Sequence, residues 1–162
     1  MPALKAMLLV LLLATVAAPE PGPPVEATHP TTNGAIDSTK VRFISVDVFI
    51  ESNDAPLAAY QFDFVAADSN VRIVGLEGGE HAAFAEPPYY DAQAMTGNRV
   101  IAAAFSTNAP ADLPSGRVRI ATVHAQLDVD AEPRFEAKLV TAANADGEKI
   151  EARISTQKGH ES

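Results

Sequence analysis

From Arg42 onward the apolar residues recur at every second position, and this spacing constrains the fold more than any other feature of the chain. A period of two places successive side chains on opposite faces of an extended strand, whereas a helix repeats every 3.6 residues. In RFISVDVFIE (42–51), Arg42, Ile44, Val46, Val48 and Ile50 share one face, and Phe43, Ser45, Asp47 and Phe49 share the other. The turn formers Ser52, Asn53, Asp54 and Pro56 end this run. Tyr60, Phe62 and Phe64 then alternate with Gln61, Asp63 and Val65, which predicts an aromatic inner face and a mostly polar outer one.

Further strands are predicted over Val71–Glu77, after a turn at 68–70, and over Asn98–Thr107, where alanines would let a facing sheet come close. The segment 118–129 changes phase: Val118 and Ile120 lie on one parity, and Val123, Ala125, Leu127 and Val129 on the other. A bulge near Ala121 or Thr122 would reconcile them and bend the strand between sheets. Phe135, Ala137, Leu139 and Thr141 alternate once more. Asn144–Gly147 then makes a hairpin turn, and Ile150, Ala152 and Ile154 close the domain. About seven to nine strands with frequent turns predict an all-β fold, a two-sheet β-sandwich of jelly-roll or immunoglobulin-like type.

There is no cysteine, so disulfides, zinc–thiolate sites, thiol catalysis and a lipid-anchoring cysteine are excluded. With no tryptophan, the core must come from Val, Ile, Leu, Ala and a few Phe. The 21 acidic residues outnumber the 12 basic ones, for a net charge of −9. Such a surface repels phosphate backbones and anionic lipid, so neither nucleic acid nor an anionic membrane is an expected partner.

The amino terminus reads as an export signal, residues 1–17. Lys5 precedes an apolar run from Ala6 to Val16, and Thr15 and Ala17 are the small residues a peptidase would read. The run is shorter than the roughly 20 residues of a membrane span, so no integral span is expected after cleavage. Residues 18–40 carry prolines 19, 21, 23, 24 and 30 and read as an extended linker. The sandwich is expected over 41–155 and a disordered tail over 156–162, in a secreted protein of the periplasm or the extracellular space.

The segment from Gly75 to Asp91 carries the candidate binding residues Glu80, His81, Phe84, Tyr89 and Tyr90. Gly78 and Gly79 permit backbone angles closed to other residues, and Pro87-Pro88 stiffens a long loop. Two adjacent tyrosines offer apolar faces with polar tips, suited to sugar or peptide surfaces. The same residues also suit a loop folded over the end of the sandwich, with Phe84 and one tyrosine plugging the core. His81 lies among Glu77, Glu80 and Glu86, but no HExxH or paired-histidine spacing accompanies it, and neither a metal nor a cofactor is expected. No G-x-S-x-G, phosphate loop or dinucleotide fingerprint occurs, and His124 sits in mid-strand on a polar parity. No enzymatic activity is expected.

The stretch VDVFIESNDAPLAAYQFDF (46–64) resembles the opening strands of cohesin-type domains. LPSGRVRIATVHAQL (113–127) resembles their corner and long strand, marked by Pro114 and Gly116. The resemblance implies a jelly-roll sandwich related to carbohydrate-binding modules of families 2 and 3. Cohesin domains dock a protein partner, dockerin, through one sheet face, and the related modules bind polysaccharide. A secreted, non-catalytic recognition module is therefore expected, with a cell-envelope structural or assembly protein as the alternative.

Overall fold

The computed structural model describes residues 41–67 and 70–161, so the export signal, the linker and most of the turn at 68–70 lie outside the described residues. Eight strands form: β1 (Val41–Glu51), β2 (Ala59–Ala66), β3 (Val71–Gly78), β4 (Tyr89–Tyr90), β5 (Arg99–Phe105), β6 (Arg117–Asp128), β7 (Phe135–Ala143) and β8 (Arg153–Glu161). They build two four-stranded sheets, ordered β3-β6-β1-β8 and β4-β5-β2-β7, in which every pairing is antiparallel. The protein is an all-β sandwich. Every connection except β4–β5 carries the chain from one sheet to the other, so the two inner faces are assembled together.

The inner faces follow the alternation. Ile44, Val46, Val48 and Ile50 of β1 are buried against Tyr60, Phe62 and Phe64 of β2, with Ile73, Val100, Ile120, Val123 and Leu127 filling the same cluster. Each fully buried side chain of this size contributes about 1.5–3 kcal/mol relative to exposure, which is how a chain without disulfides holds together.

The phase change in β6 is a bulge. Val48 pairs with Ala121 and Phe49 with Arg119, leaving Ile120 as the extra residue. Ile120 and Ala121 therefore both face inward, and both are buried. The Tyr60 hydroxyl donates to the Ile120 carbonyl at 3.0 Å, reaching it from the opposite sheet. Burial pushes the Tyr60 phenol well above its ordinary pKa, so it stays a neutral donor. The expected bend between sheets does not occur: β6 stays in one sheet, and the bulge keeps its inner face in phase.

The carboxyl end departs from expectation. Residues 156–161 are not a disordered tail: β8 runs to Glu161 and pairs with β1, Thr156 opposite Val48 and Lys158 opposite Val46. This stretch adds almost no apolar surface, so its order comes from the main-chain ladder along β1 rather than from a hydrophobic pattern. The turn at 144–147 does form, with Gly147 at φ +79°. It closes only one bridge, Ala143 to Lys149, before the chain crosses to the other sheet.

Candidate binding face

Leaving β3, the chain turns through Gly78 and Gly79. The glycines are needed there for room rather than for left-handed angles, since neither has a positive φ. A Cβ at Gly78 would run into the Ala85 carbonyl, and one at Gly79 into that of Arg119. The closely apposed loop is then fastened to β6. Glu80 N–H donates to the Arg119 carbonyl and Arg119 N–H to Glu80 Oε1, each at 3.0 Å. The Arg119 guanidinium donates to the Gly78 carbonyl at 3.1 Å and to Thr122 Oγ1 at 2.8 Å, and Thr122 in turn donates to Asp47 Oδ1 at 2.7 Å. His81 Nδ1 accepts from Ala83 N–H at 3.2 Å and caps a short 3₁₀ turn, Ala82–Phe84.

Phe84 ends that turn with its ring in the core, edge-on to Tyr60 at a centroid distance of 5.1 Å. Three of the five expected binding residues are thus used internally. Phe84 is buried and cannot face a ligand, Glu80 clamps the loop, and His81 caps a turn. Pro88 is buried, and both tyrosines are exposed.

The tyrosines follow as β4 and pair with β5, Tyr89 opposite Ala103 and Tyr90 opposite Ala102. Ala102 faces the core, so Tyr90 points to the inner side of the sheet margin and Tyr89 to the outer face. The Tyr89 ring is 71% exposed and near-parallel to that of Phe105, itself 64% exposed, with centroids 6.2 Å apart and planes 14° apart. Ile101, 44% exposed, continues the same parity along β5. The small Ala103 between them leaves the space over which Tyr89 lies. The outer face of the β4-β5-β2-β7 sheet therefore carries a contiguous apolar strip where alternation calls for polar residues.

Beside the strip, Arg99 grips Asp63 with two hydrogen bonds, 2.9 and 2.7 Å. The Arg99 hydrogen bonds, aided by its charge and that of Lys138, hold the Asp63 carboxyl below the usual carboxylate range. The outer face of the opposite sheet mixes polar residues with exposed Val41, Phe43 and Val74. There His124 Nε2 stands 3.0 Å from Glu77 Oε1 without hydrogen-bond alignment. Among the described residues no group of three His, Asp or Glu side chains is placed to hold a metal ion. No helix among them is long and apolar enough to cross a membrane.

Both candidate tyrosines are exposed, and the pattern of the sequence did not single out Phe105 and Ile101 beside them. Their shared parity with Arg99 was the available signal: two large apolar side chains on the strand's polar face.

Fold and face together define a class, an all-β sandwich with an aromatic strip on one outer sheet surface. Comparison with protein-family models, with curated proteins and with solved structures finds no match.

Proposed function

We propose that this protein is an exported, non-catalytic recognition module of the cohesin-like kind, docking a protein partner on the outer face of the β4-β5-β2-β7 sheet. The observation that carries this reading is the exposure of Tyr89 and Phe105 together. Large aromatic side chains left side by side in water on an otherwise acidic protein are characteristic of interaction surfaces, where aromatics form the centre and charged groups the rim. Ile101 extends the apolar centre, and the Asp63–Arg99 pair supplies a charged rim. Aliphatic surface of this kind suits a protein better than a sugar.

A second reading, polysaccharide binding, is favoured by one feature. The two near-parallel rings offer a stacking surface of the sort sugar rings use.

The test is retention of secreted proteins and of insoluble polysaccharides by the wild type, by Tyr89→Ala and by Phe105→Ala. Truncating a central aromatic anchor costs roughly 2 kcal/mol or more, about a thirtyfold loss of affinity. Capture of a protein partner that both variants lose supports docking. Capture of polysaccharide alone, lost in the same way, supports the second reading. Undiminished binding by both variants would remove the face from consideration.

A further inference from the structure

We propose that the edge strand β7 pairs with β7 of a second copy of this chain, joining two sandwiches through one continuous sheet. This goes beyond the reading of the aromatic face and does not depend on it.

The two sides of the sandwich are finished differently. Beyond β3 and β4, the loop 79–98 closes the margin, with Ile73 N–H bonded to the Gly97 carbonyl. Beyond β7 there is no such cover until its last residues, where Ile150 N–H meets the Ala142 carbonyl. The Arg134 carbonyl accepts from Ala67 N–H, just past the end of β2. Antiparallel pairs alternate, so the main-chain groups of Glu136 and Lys138 also turn toward β2, and those of Phe135, Ala137 and Leu139 turn away from it. Among the described residues these outward groups have no partner. A groove of about 590 Å³, walled on one side by Leu139, Val140 and Thr141, lies beside this edge.

What selects a second copy is the order Phe135-Glu136-Ala137-Lys138-Leu139, which complements itself when reversed. An antiparallel pairing about a two-fold axis at Ala137 sets each Glu136 against the other copy's Lys138 on the outer face. It sets each Phe135 against the other copy's Leu139 on the inner face, where both are only half-buried in one chain. The residues that turn their main chain outward are then the ones that bond across the axis, making about six hydrogen bonds. Charged residues on an edge strand ordinarily repel further pairing. Here the opposite signs stand two apart, so the arrangement repels an arbitrary strand but welcomes its own reversed copy. Arg99 takes both carboxylate oxygens of Asp63, the cross-strand neighbour of Lys138, so the lysine acts on Asp63 only through its charge and its ammonium can reach Glu136 of the second copy. The two-fold axis is perpendicular to the sheet, so both aromatic strips would lie on one side, their β5 strands about 24 Å apart and their β4 strands about 34 Å apart at the usual spacing of about 4.8 Å per strand.

The test is sedimentation equilibrium of the full chain over a concentration series at low salt, with four variants. Ala137→Pro removes an N–H that serves nothing within one chain and is tolerated at an edge position, so its far-ultraviolet spectrum stays that of the wild type while dimer is lost. Glu136→Lys and Lys138→Glu each replace attraction by repulsion and weaken the dimer roughly tenfold, whereas the double variant, which exchanges the two charges, restores it. A wild type that remains monomeric to millimolar concentration overturns the proposal. So does a dimer that survives Ala137→Pro, or charge variants without rescue.

Discussion

Phe84 meets Tyr60 edge-on at 5.1 Å, and through this contact the long loop after β3 is pinned to the centre of the sandwich. Tyr60 in turn holds the bulged carbonyl of Ile120, so loop, β2 and β6 converge on one buried phenol. Phe84→Ala should leave a cavity beneath that phenol and cost about 3–5 kcal/mol. Tyr89→Ala, five residues along but exposed, should change stability by no more than about 0.5 kcal/mol. Urea unfolding of the two variants checks the contrast, and equal losses would contradict the division between core and surface.

The double glycine makes a steric prediction. Gly79→Ala pushes a methyl group into the Arg119 main chain, which is fixed by its ladder with β1, so the loop must lift away. The expected cost is about 1–3 kcal/mol. Gly147→Ala has open space around it and suffers only from its φ of +79°, a cost of about 1–2 kcal/mol. The two differ in what else moves. Only Gly79→Ala should shift the amide resonances of Glu80 and Arg119, which are hydrogen-bonded across the gap.

These glycines mark where the sequence stops being legible. Period-two spacing is a local property, and it locates β1, β2 and the inner aromatic face directly, because the side chains that alternate are the ones that pack. The clash at Gly79 depends on Arg119, forty positions away, and nothing nearby in the chain announces it. The same holds for β8, whose residues 156–161 look like a polar tail until β1 is present to pair with them. In the candidate face, Tyr89 stood out as one of two adjacent tyrosines. Phe105 was hidden in a strand apolar on both parities, where Arg99 alone marked the outer one.

Acid should expose the role of Asp63. Its folded-state pKa is depressed, chiefly by the Arg99 hydrogen bonds, so the carboxylate stabilises the fold above the unfolded value of about 3.9. That contribution is lost as pH falls through the lower folded pKa. Below about pH 4 the wild type should therefore lose stability more steeply than Asp63→Asn, and the two curves should converge at the acid end. Urea midpoints from neutral pH down to pH 2 test this, and parallel curves would mean that the pair is too well solvated to matter.

The chain Asp47–Thr122–Arg119–Gly78 ties the outer face of one sheet to the base of the loop. Thr122 is nearly buried, so Thr122→Val keeps the shape but leaves the Asp47 carboxylate and the Arg119 guanidinium each without one partner. The expected cost is about 1–3 kcal/mol. Hydrogen exchange at Glu80, whose amide is bonded to the Arg119 carbonyl, should quicken more than exchange at Phe62 in the core. Uniform acceleration would show that the network supports the fold as a whole and not the loop in particular.

Ending the chain after Ser155 removes the part of β8 that pairs Thr156, Gln157 and Lys158 with Val48, Asp47 and Val46. A true tail could be cut without consequence. Here the cut strips the ladder from one side of β1, and at about 0.5–1.5 kcal/mol net per main-chain hydrogen bond the loss should reach about 2–4 kcal/mol. It also leaves β1 from Val41 to Val48 as an open edge, carrying exposed Val41 and Phe43 on its outer side. Unpaired edges of that length and character recruit other chains. The truncated protein should therefore scatter light at concentrations where the full chain is clear, and Val46→Lys should not rescue it, because that side chain faces the core. Unchanged urea midpoints and clear solutions would return residues 156–161 to the status of a tail.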